Sequence, residues 1–197
     1  MALEPTLEEA LADGWARLTR GARDRRATSH LVQVATVTPE GAPSLRTVVL
    51  RHADCASREL RFHTDQRAPK LVDLAREPRI AVLAYDEAAR VQLRCDGRAA
   101  LHRGDDLAAT AWAEARASSR RCYASAQAPG QPLDAPGDGL DHLAPDADLR
   151  DSPIFERFVV VRVTVDRLEW LRLAAAGHRR ARFDLTQTPP IGCWITP

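Results

Sequence analysis

Apolar residues recur at helical spacing near the start of the chain, at Leu7, Leu11, Trp15, Leu18 and Ala22. Thr6 precedes Glu8 and Glu9, and acids at that point lie near the positive end of a helix dipole. The spacing predicts a helix over residues 6–23, with its Leu/Trp stripe packed inward. The period then shortens. Residues 30–38 are rich in Val and Thr, and residues 44–52 centre on Val48, Val49 and Leu50. Pro39, Gly41 and Pro43 make a turn between them, so the two runs read as a hairpin. Further short strands are predicted over 60–64, 79–85, 91–101, 158–165, 168–173 and 179–184. Two more helices are predicted. One covers 69–76, with Pro69 early, where its missing N–H costs little. The other covers 105–117, with Asp105 or Asp106 as cap. From 118 to 153 the pattern dissolves into Pro129, Pro132, Pro136, Pro145 and Pro153 with Gly130, Gly137 and Gly139. A loop of that length is a functional lid or a disordered segment.

Short strands at close spacing, with three helices and no regular crossover, disfavour a doubly wound parallel sheet. They favour a mainly β, antiparallel barrel with flanking helices, in one domain over 1–197. The composition, 45% hydrophobic and 28% charged, is that of a globular chain. A net charge of +1 gives no global field toward nucleic acid or membrane, so any anion site must be local. No run of apolar residues is long enough for a spanning helix. The opening Met1-Ala2-Leu3-Glu4-Pro5 lacks the pattern of a signal peptide, and a cytoplasmic protein is expected. Cys55, Cys95, Cys122 and Cys193 form no C-x-x-C and no zinc-ligand spacing, so reduced thiols and no metal are expected. Neither glycine-rich phosphate motif is present. A phosphorylated ligand would therefore be held by side chains.

Three cationic clusters offer such side chains. In Arg46-Thr47-Val48-Val49-Leu50-Arg51, alternation puts Arg46, Val48 and Leu50 on one strand face and Thr47, Val49 and Arg51 on the other. The cations are either solvated strand ends or parts of a site. In His63-Thr64-Asp65-Gln66-Arg67-Ala68-Pro69-Lys70, a strand end runs into a helix start. It is either an ordinary capped loop or a phosphate cradle of helix amides, Thr64 and Lys70. Lys70 is the only lysine in a chain biased toward arginine. The third cluster is Trp170 followed by His178, Arg179, Arg180 and Arg182. It is either a charged edge strand or an aromatic and arginine surface suited to a flat ring and its phosphate. Gln92, in a strand, can offer both donor and acceptor to a heterocycle edge.

In this order the segments SLRTVVLR, LRFHTDQRAPK, VQLRCDGRA, AWAEARASSRRCYA and LEWLRL…HRRARF resemble the pyridoxamine 5′-phosphate oxidase superfamily of FMN-binding split barrels, and most closely its Alr4036-type branch. The resemblance spans residues 44–183. It implies a homodimer with flavin mononucleotide (FMN) at the subunit boundary. It implies that Arg46 and Lys70 bind the FMN phosphate, with Thr47, Val48 and Val49 beside the cofactor. Arg51 replaces the family's lysine near flavin and substrate, and His63-Thr64 replaces its Tyr-Thr pair. The family's Arg-Lys pair falls on Pro69-Lys70, with Arg67 as a possible substitute for the lost arginine. Gln92 would meet the ring edge. Trp170 and Arg182 would reach FMN from the partner. The family's substrate-side Arg-x-His is replaced by His178, Arg179 and Arg180, of which His178 and Arg180 are the candidates for holding substrate. Arg116, Ser118 and Ser119 lie near the family's substrate-phosphate residues.

The activity implied is hydride transfer from a small, anionic substrate to flavin N5. The alternatives are a non-catalytic flavin or haem carrier of the same fold, and a nucleic-acid or regulatory protein using its arginines. The balanced charge and the absence of a recognition motif disfavour the last.

Overall fold

A computed structural model describes residues 4–197, so residues 1–3 of the opening segment lie outside it. The N-terminal helix is Leu7–Arg23 (α1). The Thr6 hydroxyl accepts the Glu9 N–H at 3.1 Å and the Glu9 carboxylate accepts the Thr6 N–H at 2.7 Å, a reciprocal capping box. Eight strands follow: Leu31–Val37 (β1), Pro43–Asp54 (β2), Glu59–Asp65 (β3), Arg79–Asp86 (β4), Val91–His102 (β5), Phe158–Arg172 (β6), Arg179–Asp184 (β7) and Ile191–Ile195 (β8). Between β3 and β4 lies the helix Pro69–Arg76 (α2). After β5 come Asp106–Glu114 (α3) and Ala117–Arg121 (α4).

The strands pair in the order β3-β2-β1-β4-β5-β6-β7-β8, and a β3–β6 pairing closes the first six into a barrel. Every pairing is antiparallel. The strand β6 makes closure possible. Its first half pairs with β3 and its second half with β7, while β5 follows it throughout. The sequence predicts two strands here, 158–165 and 168–173. The structure has one, because the polar Asp166-Arg167 step is a register shift opposite Asp96/Gly97 and not a break. Gly97 is required there: a Cβ would lie 2.1 Å from the Thr164 carbonyl oxygen.

Alternation sends Val32 and Val34 of β1, Leu60 and Phe62 of β3, and Val159, Val161, Val163 and Val165 of β6 into the barrel interior. Trp15 and Leu18 of α1 and Leu71 and Leu74 of α2 join that core. The outward Phe158 and Val160 build a second cluster with Trp112 of α3, Tyr123 and Leu149. The helix predicted over 105–117 ends at Glu114, because Ala115 turns extended before α4 begins. The strand β8 is an addition to the predicted set. Residues 122–152 contain turns but neither helix nor strand. Among the described residues no helix is long and apolar enough to cross a membrane.

Candidate functional site

One cluster of charge forms where α2 meets the ends of β1, β2 and β3. Thr36 is an inward residue near the end of β1, and Arg46 on β2 stands opposite Val34. Arg46 donates through Nη1 to the Thr36 hydroxyl at 2.6 Å and through Nη2 to Ser44. Asp73 of α2 is 4% exposed; its carboxylate accepts the Thr36 hydroxyl at 2.6 Å and lies 3.5 Å from Arg46 Nη2. Lys70, in the first turn of α2, donates to the Thr64 hydroxyl at 2.9 Å. Burial, and next the nearby Arg46 guanidinium, push the Lys70 pKa down, opposed by Asp65 and Asp73. The two cations expected to share a phosphate are thus drawn to one place, in a cluster short of negative charge. No side chain caps the N-terminus of α2. Arg67 does not replace the missing arginine. It is held by Asp65 at 2.7 Å and by the carbonyls of Ser125 and Ala126. Thr36 and Asp73 were missed in the sequence, where a lone Thr on a strand and a lone Asp on a short helix carry no signal.

A second site lies on the outer face of β2 and β3. A cavity of about 250 Å³ is lined there by Arg51, His52, Arg61, His63, Arg116 and Ser119, with Glu114 among the other walls. Arg51 sits at the bulge between Leu50 and His52, which turns it outward. Thr47 and Val49 also face away from Arg46 and Leu50, as alternation predicts, and Val48 packs against the core. His63 and Thr64, adjacent in sequence, face opposite sides: Thr64 meets Lys70 while the His63 ring stacks edge-on to Phe158 at 4.8 Å. Burial, and then Arg51 and Arg61, drive the His63 pKa down to about 4. The imidazole is therefore neutral at physiological pH, and the positive charge is carried by guanidiniums. Of the residues placed near a substrate subsite from sequence, Arg116 and Ser119 line this cavity. Arg61 was missed, although its two-residue spacing from His63 puts both on one strand face.

The third cluster lies on the sheet face of β5, β6 and β7. Glu169 is 5% exposed and accepts from Arg180 Nη2 at 2.6 Å and Arg182 Nε at 2.8 Å, with Arg94 at 3.7 Å. Burial works to raise its pKa, but the bonds from Arg180 and Arg182 prevail and hold it below the usual carboxylate range. Gln92 pairs with Leu171 and Tyr85, which puts it on this face and not beside Arg46. Arg182 remains exposed. Trp170 corrects the sequence expectation. It is 3% exposed, sits in the barrel core, and donates its indole N–H to Asp13 at 2.7 Å. An inward ring committed to α1 does not reach a partner's cofactor, and the outward neighbour on that strand is Leu171. His178 is exposed and accepts the Ala174 N–H at 3.2 Å. Neither His178 nor Arg180 lines the cavity beside Arg51. A groove of about 830 Å³ runs over the outer sheet from Thr36 and Pro43 to Arg182 and Asp184, with both signs of charge along its walls.

The closed six-stranded antiparallel barrel, extended by β7 and β8, has the split-barrel architecture seen in FMN-binding proteins. Residues 18–170 match the family model for pyridoxamine 5′-phosphate oxidase. A pyridoxine/pyridoxamine 5′-phosphate oxidase of Sphingopyxis alaskensis is 31% identical over 183 residues, 90% of this chain and 81% of that protein. One of the same description from Thermobifida fusca is 50% identical over 60 residues, 30% of this chain and 26% of that protein. The chain belongs to the pyridoxamine 5′-phosphate oxidase family. Two crystal structures share its fold. One is a pyridoxamine 5′-phosphate oxidase-related, FMN binding protein of Nostoc punctiforme, with TM-score 0.77, 24% identity and 100% of both chains covered. The other is PhzG from Burkholderia lata in complex with tetrahydrophenazine-1-carboxylic acid, with TM-score 0.72, 19% identity, and 98% and 94% covered.

Proposed function

We propose that this protein is an FMN-dependent oxidoreductase that takes a hydride from a small anionic substrate, and that it works as a homodimer. The observation that carries this is the meeting of Arg46 and Lys70 around Asp73. Two half-buried cations, the guanidinium of Arg46 depressing the proton affinity of Lys70, gain most from a dianion, and the FMN phosphate is one. The donor set fits: a forked guanidinium, an ammonium, the Thr64 hydroxyl and the uncapped start of α2. When bound, FMN supplies the hydride-accepting chemistry, and the chain supplies binding, orientation and charge.

In this reading Arg46, Lys70 and Thr64 hold the phosphate, and Thr47, Val48 and Val49 line the cofactor's path along β2. Gln92 and Arg182 lie on a different face of the same chain, so a second copy must bring them. The charges of the 830 Å³ groove, Arg79, Arg98 and Arg167 against Asp96, Asp166 and Asp184, allow one copy to complement another. The cavity with Arg51, Arg61 and Arg116 would grip the substrate's anionic group, with neutral His63 as a hydrogen-bonding wall. A mere flavin or haem carrier has no use for such a cavity. The four free cysteines suit a reducing, cytoplasmic compartment.

The test is FMN binding followed through the visible spectrum. Arg46→Ala and Lys70→Ala should each weaken FMN roughly tenfold to a hundredfold, the worth of a charged hydrogen bond. Unchanged affinity in both variants puts the phosphate elsewhere, and protein that cannot be loaded with FMN overturns the reading. Anaerobic reduction with pyridoxamine phosphate and other small anions then tests substrate, with KM expected to rise in Arg116→Ala.

A further inference from the structure

Resting on the FMN reading above, we propose that Asp73, acting through Thr36, is a positioning residue that aims Arg46 at the cofactor phosphate and keeps the site's two cations compatible. An acid is an unexpected neighbour for an anion site, since Coulomb's law alone makes it a repulsive one. Its geometry gives it another use. The Thr36 hydroxyl has one proton, which goes to Asp73 at 2.6 Å, and its oxygen accepts Arg46 Nη1 at 2.6 Å. Nη2 of the same guanidinium lies 3.5 Å from the Asp73 carboxylate and donates to Ser44. Both ends of the fork are therefore fixed, and the plane of the guanidinium is set before any ligand arrives.

Asp73 also has no substitute. The other acid acting on Lys70 is Asp65, and it is engaged by Arg67 through contacts of 2.7 and 3.0 Å. The charged groups acting on Lys70 are Arg46 from β2, Asp65 from β3 and Asp73 from its own helix. Arg46 pushes its proton off, and the two acids hold it on. Removing the Asp73 charge leaves Lys70 easier to deprotonate.

Two isosteric variants separate positioning from plain electrostatics: Thr36→Val, which breaks the relay without changing charge, and Asp73→Asn, which removes the charge. FMN and riboflavin, which lacks the phosphate, are titrated into the full-length protein across neutral to alkaline pH, with Arg46→Ala as reference. Thr36→Val should weaken FMN about three- to tenfold, less than the loss of a charged hydrogen bond made directly to the phosphate, and leave riboflavin unchanged. Thr36→Ser, which restores the hydroxyl, should recover the loss. Asp73→Asn should also weaken FMN, and its affinity should fall away at a lower pH than that of the parent. Tighter or equal FMN binding in Asp73→Asn overturns the inference, as does an equal loss for riboflavin, which would mark a merely structural role. If Arg46→Ala itself leaves FMN untouched, the phosphate reading fails. If Arg46→Ala weakens FMN while Thr36→Val and Asp73→Asn do not, only the positioning role fails.

Discussion

The barrel and the segment 122–152 lie against each other, share Phe158 and Val160 as a common wall, and satisfy their backbones in different ways. In the barrel, strand ladders pair the peptide groups, and apolar side chains fill the interior. In the segment, arginines stand where neighbouring strands would be. Arg157 donates to the carbonyls of Tyr123 at 3.3 Å and Ser125 at 3.0 Å. Arg67 donates to the carbonyls of Ser125 and Ala126, Arg121 to that of Ala144 at 2.6 Å, and the Trp112 indole N–H to that of Arg150 at 2.7 Å. A planar guanidinium with five donors can serve two carbonyls at once, which an ammonium does poorly. Several of the chain's arginines are thus backbone glue, and a dense run of arginines is weak evidence for a ligand until its carbonyl and carboxylate partners are known. The one lysine, by contrast, takes no carbonyl: it bonds the Thr64 hydroxyl near Arg46.

If the two regions are separate in stability, one residue should divide them. Trp112 packs on Tyr123, Phe155 and Phe158 at ring separations of 5.9, 5.8 and 5.3 Å. Trp112→Ala should cost about 3–5 kcal/mol locally, as for other large-to-small core changes. Hydrogen exchange should then show the amides of Tyr123, Ala124, Leu143 and Ala147 losing protection while β1, β4 and β5 keep theirs. Simultaneous loss in the barrel would show a single cooperative unit.

The same division explains what the sequence disclosed. Short apolar runs predicted β1 to β5, and the helical stripe behind Thr6 predicted α1, because local pattern determines those elements. Arg46 and Lys70 were legible as a pair only through their order along the chain. The segment was not legible, because its partners lie far away: Arg67 is 58 positions from Ser125, and Arg157 is 34 from Tyr123. Trp170 was misassigned by parity. On a strand one step changes the face, and it is Leu171 that points outward next to Gln92. The split reading of β6 arose at the same bulge, where polar Asp166 and Arg167 mimic a turn.

His63 stands at the seam, its ring on Phe158 and its neighbours Arg51 and Arg61. Its pKa of about 4 in the folded protein lies below the 6.5 of an unstrained imidazole. The unfolded chain therefore takes up a proton first. Stability is fully present above pH 6.5 and is lost as pH falls toward 4, by about 3 kcal/mol over the window. Urea midpoints of the parent and of His63→Gln at pH 7 and pH 4.5 isolate this contribution from the carboxylates. The parent should lose more than the variant on acidification, and equal losses would remove His63 from the account of the seam.

The smallest expected effect tests the glue itself. Arg67→Lys keeps the charge but gives up the fork whose Nη1 and Nη2 reach Ala126 and Ser125, and Arg157→Lys gives up the planar Nη1 group that reaches Tyr123 and Ser125 together. Each should weaken the anchoring of residues 123–126 by about 1 kcal/mol, seen as a roughly fivefold rise in local amide exchange. The ladder amides of β5 and β6 should not respond, because no arginine side chain takes part in their pairing. Arg121→Lys, at an exposed contact, should change exchange less than either. If the lysine variants protect residues 123–126 as well as the parent does, charge alone holds the segment. The contrast with the barrel would then rest on the aromatic cluster and not on guanidinium geometry.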